Sequence, residues 1–156
     1  MRLNLFQQPT PAQEHIDVYY NQMTQPLRQI IALIQDGPPR LEGRLEDERV
    51  LLTLQDVYYV ETVDRGTFFY LEKQVYQADM TLREFLESFE HYGFARVNKS
   101  QIVNLRRVRC IRPTAGMRIL AVLDNGEQLV INRSFRQSFE DALRTLGRNS
   151  HEKIDQ

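Results

Sequence analysis

Short apolar runs flank the dipeptide Asn125-Gly126, and this arrangement predicts a β-hairpin. Asn-Gly is favoured in two-residue hairpin turns because both central residues of such a turn need a positive φ. The register of that turn places Arg118 opposite Arg133 at the open end of the hairpin. Two arginines in this position repel each other unless an anion lies between them. The alternative is that one arginine points into solvent or pairs with an acid from residues 1–94.

Several segments rich in β-branched and aromatic residues predict strands. They span residues 49–53, 56–61, 67–71, 74–77, 108–113, 118–123 and 127–131. Asp64-Arg65-Gly66 is a predicted turn. The strands do not alternate regularly with long helices, which disfavours a doubly wound parallel sheet. The sequence therefore predicts a mainly β, mostly antiparallel fold with short helices at its joints.

Capping signals mark three predicted helices in this β-rich part. They are the pairs Thr81/Glu84, Asn98/Gln101 and Ser134/Gln137. The second pair would open a short helix with Arg96, Lys99 and Ser100 at its entry, where free N–H groups suit a phosphate. The third helix is predicted to end at Gly147.

A strand–helix extension is predicted before the β-rich part. Apolar residues alternate over residues 15–20, and Thr24 and Pro26 are typical of a helix start. The sequence Gly37-Pro38-Pro39 then stops the helix. This divides the chain into an extension, a domain and a polar tail, at residues 1–44, 45–147 and 148–156.

Few residues are of the types that catalysis or metal binding requires. The single cysteine, Cys110, excludes an intramolecular disulfide and a multi-cysteine zinc site. The histidines are scattered, and no P-loop, dinucleotide-binding or nucleophile-elbow motif occurs. We therefore expect no enzymatic activity, cofactor, metal or small-molecule substrate. No apolar run approaches the ~20 residues that span a bilayer, and no secretory signal is evident, so we expect a cytoplasmic protein.

The charges are unevenly distributed, although the formal net charge is only −1. Residues 95–136 contain nine Lys and Arg against two Asp and Glu, whereas residues 1–94 contain eight against fifteen. A concentrated basic face would attract a polyanion. The alternative is that the basic segment folds against the acidic remainder.

The segment from Phe94 to Asn104 reads F-x-R-V-N-K-S-x-I-V-N and resembles the signature of LytTR-type bacterial DNA-binding domains. Its surroundings match the family in order and spacing. The matching segments are 57–61, 82–89, 108–111, 123–126 and 131–135. The resemblance covers about residues 45–147. It departs from the family pattern at Asn98, Gln101 and Asn132, which affects the expected base preference more than the expected fold.

The resemblance implies a transcriptional regulator whose loops read successive major grooves of duplex DNA. Three loops correspond to the family's reading loops, and their candidate base-reading residues are Arg65, Thr67, Asn98, Lys99 and Arg133. The planar fork of arginine suits guanine O6 and N7, and lysine can also donate to these acceptors. Other residues near the loops are expected to bind phosphates and fix the register. These are Arg96, Ser100, Arg107 and Arg136.

The partners follow from the same resemblance. We expect double-stranded DNA, and a homodimer on adjacent half-sites, since a single domain with three short loops gains specificity by pairing. A phosphoacceptor receiver domain needs ~100 residues or more and does not fit in residues 1–44, so regulation by a protein or membrane-protein partner is the expectation. A competing hypothesis is a non-enzymatic protein-interaction module that docks through residues 19–34 and whose basic face binds an acidic partner. An RNA-binding role lacks the aromatic strand motifs typical of that class.

Overall fold

A computed structural model describes residues 2, 4 and 16–151, the last four of them by their backbone alone. The fold has two antiparallel sheets and three α-helices. The helices are α1 (Gln25–Asp36), α2 (Leu82–Phe89) and α3 (Arg136–His151). The strands are β1 (Arg40–Leu45), β2 (Glu48–Thr53), β3 (Tyr59–Val63), β4 (Gly66–Tyr70), β5 (Val75–Ala78), β6 (Phe94–Asn98), β7 (Gln101–Asn104), β8 (Val108–Pro113), β9 (Ile119–Leu123) and β10 (Gln128–Ile131). The predicted mainly β, antiparallel class is confirmed.

The larger sheet has seven strands in the order β2-β1-β5-β4-β3-β7-β6, and the smaller has three in the order β10-β9-β8. The two sheets meet where β10 leaves the smaller sheet beside β6. There the backbone N–H of Asn132 donates to the carbonyl oxygen of Val97 at 2.9 Å. This contact fixes the end of β10 against the end of β6.

Apolar side chains form two cores on either side of β6 and β7. One core lies between the smaller sheet, these strands and α3, and Phe139 is fully buried in it. The other lies between the larger sheet and α2, where Phe85 packs against Phe69 and Phe94 at ring-centroid distances of 5.8 and 5.0 Å. Alternating residues of the shared strands enter opposite cores, as the two-residue period of a strand requires. The cores therefore hold β6 and β7 rigidly from both faces.

Local capping explains where α2 begins. The Thr81 hydroxyl accepts from the Glu84 N–H, and the Glu84 carboxylate accepts from the Thr81 N–H. This is the predicted capping box, and it is confirmed. The Thr24 cap of α1 is confirmed as well, because its hydroxyl accepts from the Leu27 N–H at 3.4 Å.

The short helix predicted after Asn98 is wrong, because residues 98–101 form the turn of the β6–β7 hairpin. The Asn98 carboxamide oxygen accepts from the Ser100 N–H, a bond that serves an Asx turn as well as a helix cap. The following residues decide between the two. Ile102 and Val103 are β-branched, fully buried and paired with β3. The proposed phosphate site at a helix entry therefore does not exist.

The β9–β10 hairpin forms as predicted, but its register differs by one residue. The Leu123 N–H donates to the Glu127 carbonyl at 2.8 Å, so the turn has three residues rather than two. Gly126 has a φ of 88°, whereas Asn125 does not enter the positive region. Three-residue hairpin loops of this kind need one left-handed position, which glycine provides. As a result Arg118 lies opposite Asn132, whereas the predicted register places it opposite Arg133.

The two ends of the chain also differ from expectation. Residues 16–20 form no strand and are exposed, and His15, the first residue of the predicted strand, lies outside the described residues. β1 begins at Arg40 and so crosses the predicted boundary at residue 45. α3 continues through Gly147 to His151, because Gly147 keeps a negative φ and does not terminate the helix. Residues 152–156 of the predicted tail lie outside the described residues.

Gly43 gives a test of packing in the larger sheet. A Cβ at this position would lie 2.8 Å from Leu52 Cδ1 and 2.8 Å from Tyr76 Cβ, and the latter cannot move without its backbone. We expect Gly43→Ala to lower the free energy of unfolding by ~1–3 kcal/mol, as overpacking does. Gly147→Ala is the control, since its Cβ would meet nothing within 4 Å and should raise helix stability by ~0.5–1 kcal/mol. Urea unfolding followed by circular dichroism measures both, and equal effects of the two substitutions would contradict this assignment.

Candidate nucleic-acid interface

Three turns that the sequence places far apart lie together at one end of the molecule. They comprise residues 64–65, 98–100 and 132–134, and we call this region the loop end. The Thr62 N–H donates to the Ser100 carbonyl at 2.9 Å, which places the first turn beside the second. The bond between the Asn132 N–H and the Val97 carbonyl places the third turn beside the second. The pairing of β3, β7, β6 and β10 therefore aligns the three turns.

Each turn presents one exposed cationic side chain. These are Arg65, Lys99 and Arg133. None of the three makes a hydrogen bond or an ion pair with the part of the chain that the structure describes. Their charged groups are therefore free to bind an anion or an acceptor from outside the molecule.

Asn98 lies at the centre of the loop end but does not face outward. Its amide nitrogen donates to the Gln101 side-chain oxygen at 2.7 Å and to the Val130 carbonyl at 3.1 Å. Its oxygen accepts from the N–H and from the hydroxyl of Ser100 at 2.9 and 3.1 Å. Both donors and the acceptor of the amide are thus used within the fold. Asn98 and Ser100, which are predicted to contact DNA, hold the turn in this structure.

The Arg96 side chain also holds the β6–β7 turn, through two of its backbone carbonyl groups. Its Nε donates to the Asn98 carbonyl at 3.2 Å and its Nη2 to the Lys99 carbonyl at 2.6 Å. Its guanidinium also lies 5.9 Å from the centre of the Phe135 ring, in the segment that follows the third turn. Arg96 therefore links the second turn to the third and fixes the backbone that carries Lys99.

Thr67 is buried, with 8% of its surface exposed, and its hydroxyl lies 3.5 Å from that of Thr62. Of the two predicted candidates at the first turn, Arg65 is therefore the accessible one. Arg65 and Asp64 have φ values of 68° and 47°, so both turn residues occupy the left-handed region. This turn type follows the twist of the flanking strands and directs Arg65 outward at the hairpin tip.

A polar network joins the second turn to the β3–β4 hairpin. Gln101 Nε2 donates to Glu61 Oε1 at 2.9 Å, and the ring of Tyr70, which hydrogen-bonds Glu61, stacks on Tyr59 with centroids 4.3 Å apart. Burial, then the hydrogen bond to Glu61, raises the pKa of Tyr70 to about 12. Burial, then the charge of Glu127, raises the pKa of Tyr59. Both phenols therefore stay protonated at neutral pH.

Two predicted phosphate contacts are held by the chain itself. The Arg107 guanidinium donates to the Gln55 carbonyl from Nε and Nη2, at 3.1 and 2.9 Å, and lies 3.6 Å from Asp56. It also lies 4.8 Å from the centre of the Tyr58 ring. Arg107 therefore anchors the segment before β3.

Arg136, at the start of α3, is held in a similar way. Its Nε donates to Glu140 Oε1 at 3.2 Å and its Nη1 to the Met117 carbonyl at 3.3 Å. Because Glu140 partly neutralises its charge, Arg136 is a weaker candidate for a phosphate contact than the exposed cations of the loop end.

An open depression of about 570 Å³ lies beside the third turn. It is lined by Gly116, Arg118, Asn132, Arg133 and Ser134. Arg118 and Arg133 thus share one surface, as the hairpin pattern suggested, although they are not opposite each other. Arg118 was absent from the predicted contact residues, and its position at the open end of the hairpin is the signal that could have selected it.

The remaining chemistry of the described residues is sparse. Among them, no cluster of three His, Cys, Asp or Glu side chains could hold a metal ion. No helix in that part of the chain is both long and apolar enough to cross a membrane. Cys110 is half-buried.

Substitution of Asn98 tests whether its amide holds the loop end. Asn98→Ala removes four hydrogen bonds and leaves the Val130 carbonyl and the Ser100 N–H without these partners. We expect the free energy of unfolding to fall by ~2–4 kcal/mol, since a typical buried hydrogen bond contributes ~1 kcal/mol. Ser100→Ala removes only the hydroxyl bond and should cost ~1 kcal/mol or less. Equal losses in chemical denaturation would refute the central role of Asn98.

Arg107 is expected to act in stability and not in binding. Arg107→Ala removes two hydrogen bonds, an ion pair and a ring contact, and should lower the free energy of unfolding by ~1–3 kcal/mol. The salt dependence of anion binding should remain that of the native protein. If the variant had native stability but its anion binding depended less on salt, Arg107 would contact the bound anion and this assignment would be wrong.

Known proteins resemble this chain over the same region. The family model described as the LytTr DNA-binding domain matches residues 47–144. The chain is 30% identical over 101 residues, 64% of its length, to the transcriptional regulatory protein YpdB of Escherichia coli K12, and 26% identical over 98 residues, 63% of its length, to the sensory transduction protein LytT of Enterococcus faecalis. It spans only 41% and 40% of the lengths of these two relatives.

A solved structure agrees with this assignment. The LytTr DNA-binding domain of a protein described as a methyl-accepting/DNA response regulator from Bacillus cereus superimposes with a TM-score of 0.65 at 25% identity. The match covers 69% of this chain and 98% of that domain. The family match, over residues 47–144, includes the strands that carry the loop end. This chain belongs to the LytTR family of DNA-binding domains.

Proposed function

We propose that this protein binds duplex DNA with sequence specificity, reads base edges in the major groove through the loop end, and regulates transcription. The observation that carries the proposal is the convergence of three exposed cations, without an ion pair in the described part of the chain, on turns held by hydrogen bonds. A binding surface of this kind needs little reordering when DNA arrives, so less free energy is spent on fixing side chains and loops.

Arg65, Lys99 and Arg133 are the residues we assign to base reading. Arginine can donate two parallel hydrogen bonds to guanine O6 and N7, and lysine can donate to the same acceptors. A contact of this kind discriminates against a wrong base by ~1–3 kcal/mol. The width of the major groove, ~12 Å, admits a hairpin turn, and the three turns offer three separate contacts along the duplex.

The other predicted contacts take different roles in this proposal. Asn98, Ser100 and Arg96 position the turn that carries Lys99, and Thr67 lies inside the first hairpin. Arg107 contributes to the fold. Arg136 remains a secondary phosphate contact near the third turn. Specificity therefore depends on fewer side chains than the family pattern alone suggests.

The biological setting is proposed from the relatives. A regulator named as such is 30% identical to this chain, and we extend that role to it, in the cytoplasm, without catalysis. We retain the division into an extension, a domain and a tail, but extend the domain to residues 40–151 so that it includes all of β1 and α3. We also propose a homodimer on adjacent half-sites, because two copies would double the bases read.

A protein-interaction role has one observation in its favour. Tyr19 is 91% exposed, and α1 exposes Leu33 and Ile34. This apolar surface lies far from the loop end, because Gln29 of α1 bonds the His91 carbonyl just before β6, whereas the loop end follows β6. A protein contact there would accompany DNA binding and would not compete with it.

Selection of bound sites from a random duplex library tests the proposal. We expect the native chain to enrich a defined sequence, and Arg133→Ala to lose preference at one base position at a cost of ~1–3 kcal/mol. Lys99→Ala should relax a different position. Arg28→Ala, an exposed arginine on α1, is the control and should select the native sequence. If the native chain enriches no sequence, or if Arg133→Ala selects an unchanged one, base reading by these residues is refuted.

A further inference from the structure

The cations that the structure leaves free include a group outside the loop end. Arg106, Arg109 and Arg112 are exposed, and none of their side chains has a hydrogen bond or ion pair with the described part of the chain. Arg109 and Arg112 lie on β8, and Arg106 lies in the turn that precedes it. We call these three residues the β8 arginines.

The strand beside the β8 arginines carries no charged residue. β8 is an edge strand, and its only paired neighbour, β9, consists of apolar residues. Arg112 lies opposite Leu120, and Cys110 opposite Val122. Arg109 falls at the bulge between Val108 and Cys110, where the ladder is interrupted. The fold therefore provides no acid on the neighbouring strand to neutralise these guanidinium groups.

The β8 arginines are continuous with the loop end. Arg112, Leu120 and Val130 lie level across β8, β9 and β10, and the Val130 carbonyl binds the Asn98 side chain. Two strand spacings of ~4.8 Å place the Arg112 backbone about 10 Å from that of Val130. This distance is similar to the width of the major groove, ~12 Å. The separation would place Arg112 near the phosphates that border a groove if a turn of the loop end entered that groove.

The spacing along β8 fits a phosphate backbone as well. Arg109 and Arg112 are separated by three residues, or about 10 Å of strand. Phosphates follow one another every 3.4 Å of helix axis along one strand of B-DNA, so the two guanidinium groups are far enough apart to bind two different phosphates. The exposed side chains of β8 include no aromatic residue, whereas aromatic residues are enriched in the core of protein–protein interfaces.

We propose that Arg109 and Arg112, assisted by Arg106, form a phosphate-binding edge that holds the DNA backbone beside the grooves read by the loop end. This inference rests on the proposed binding of duplex DNA and adds to it. The residues predicted to bind phosphates are mostly engaged within the fold, and the β8 arginines take over that role. They contribute affinity without sequence preference, because phosphates carry no base information.

The double variant Arg109→Gln/Arg112→Gln tests the proposal in fluorescence anisotropy titrations with a selected duplex and with a random duplex. Each phosphate contact contributes ~0.9 to the slope of log K against log salt concentration, so we expect the slope to become shallower by about 2. At 0.1 M salt this corresponds to a loss on the order of 50-fold in affinity, similar for both duplexes. The selected base sequence should not change. The control Arg28→Gln should leave both slopes native.

The lysine double variant Arg109→Lys/Arg112→Lys separates charge from any effect on folding. It keeps the positive charges and should recover most of the salt slope, which a misfolded chain would not do. A native slope in the glutamine variant, measured while Arg133→Ala loses its base preference, would overturn the phosphate edge and leave the proposed function intact. Absence of duplex binding by the native chain would instead refute the proposed function, and the phosphate edge with it.

Discussion

The amide of Asn98 is the contact on which the geometry of the loop end depends. Its two donors and its acceptor join the β6–β7 turn to Gln101 on β7 and to the Val130 carbonyl of β10. An amide in this position is costly if any of its groups lacks a partner, and here none does. Because the larger and smaller sheets meet at this point, the same side chain fixes the second and third turns relative to each other. The polar residue of the signature therefore positions the backbone that carries Lys99.

The ion pairs of the acidic part of the chain also affect where positive charge is exposed. Most described ion pairs of the acidic half are internal to it, such as Arg44 with Asp79 and Arg49 with Glu42, at 2.6 and 2.7 Å. Between the acidic and basic parts of the described chain the ion pair is that of Arg107 with Asp56, at 3.6 Å. The charged groups of the loop end and of the β8 arginines have no ion pair within the described residues. Exposed ion pairs of this kind contribute little stability. A nearly neutral protein can in this way present a strongly basic surface.

Most of the strands, the antiparallel class and the α2 cap could be predicted from the sequence, because each rests on local preference, whereas β1, β6 and β7 are not predicted. The segment after Asn98 could not, since an asparagine followed by a free N–H forms the same bond in a turn and in a helix cap. Pairing of Ile102 with Val60 decides the outcome, and that contact is distant in sequence. The sequence could not show, for a similar reason, which arginine side chains bond within the fold. Arg96 and Arg109 look alike in the sequence, yet only Arg96 meets carbonyl groups that the fold brings within reach.

Backbone strain at the first turn supports a binding role for Arg65. A residue other than glycine in the left-handed region costs ~1–2 kcal/mol, and Arg65 has a φ of 68°. Glycine would occupy the same conformation without this cost. The arginine contributes no hydrogen bond or ion pair to the described fold in return. Stability alone would therefore favour glycine at this hairpin tip, and what the arginine adds there is an exposed positive charge beside those of Lys99 and Arg133.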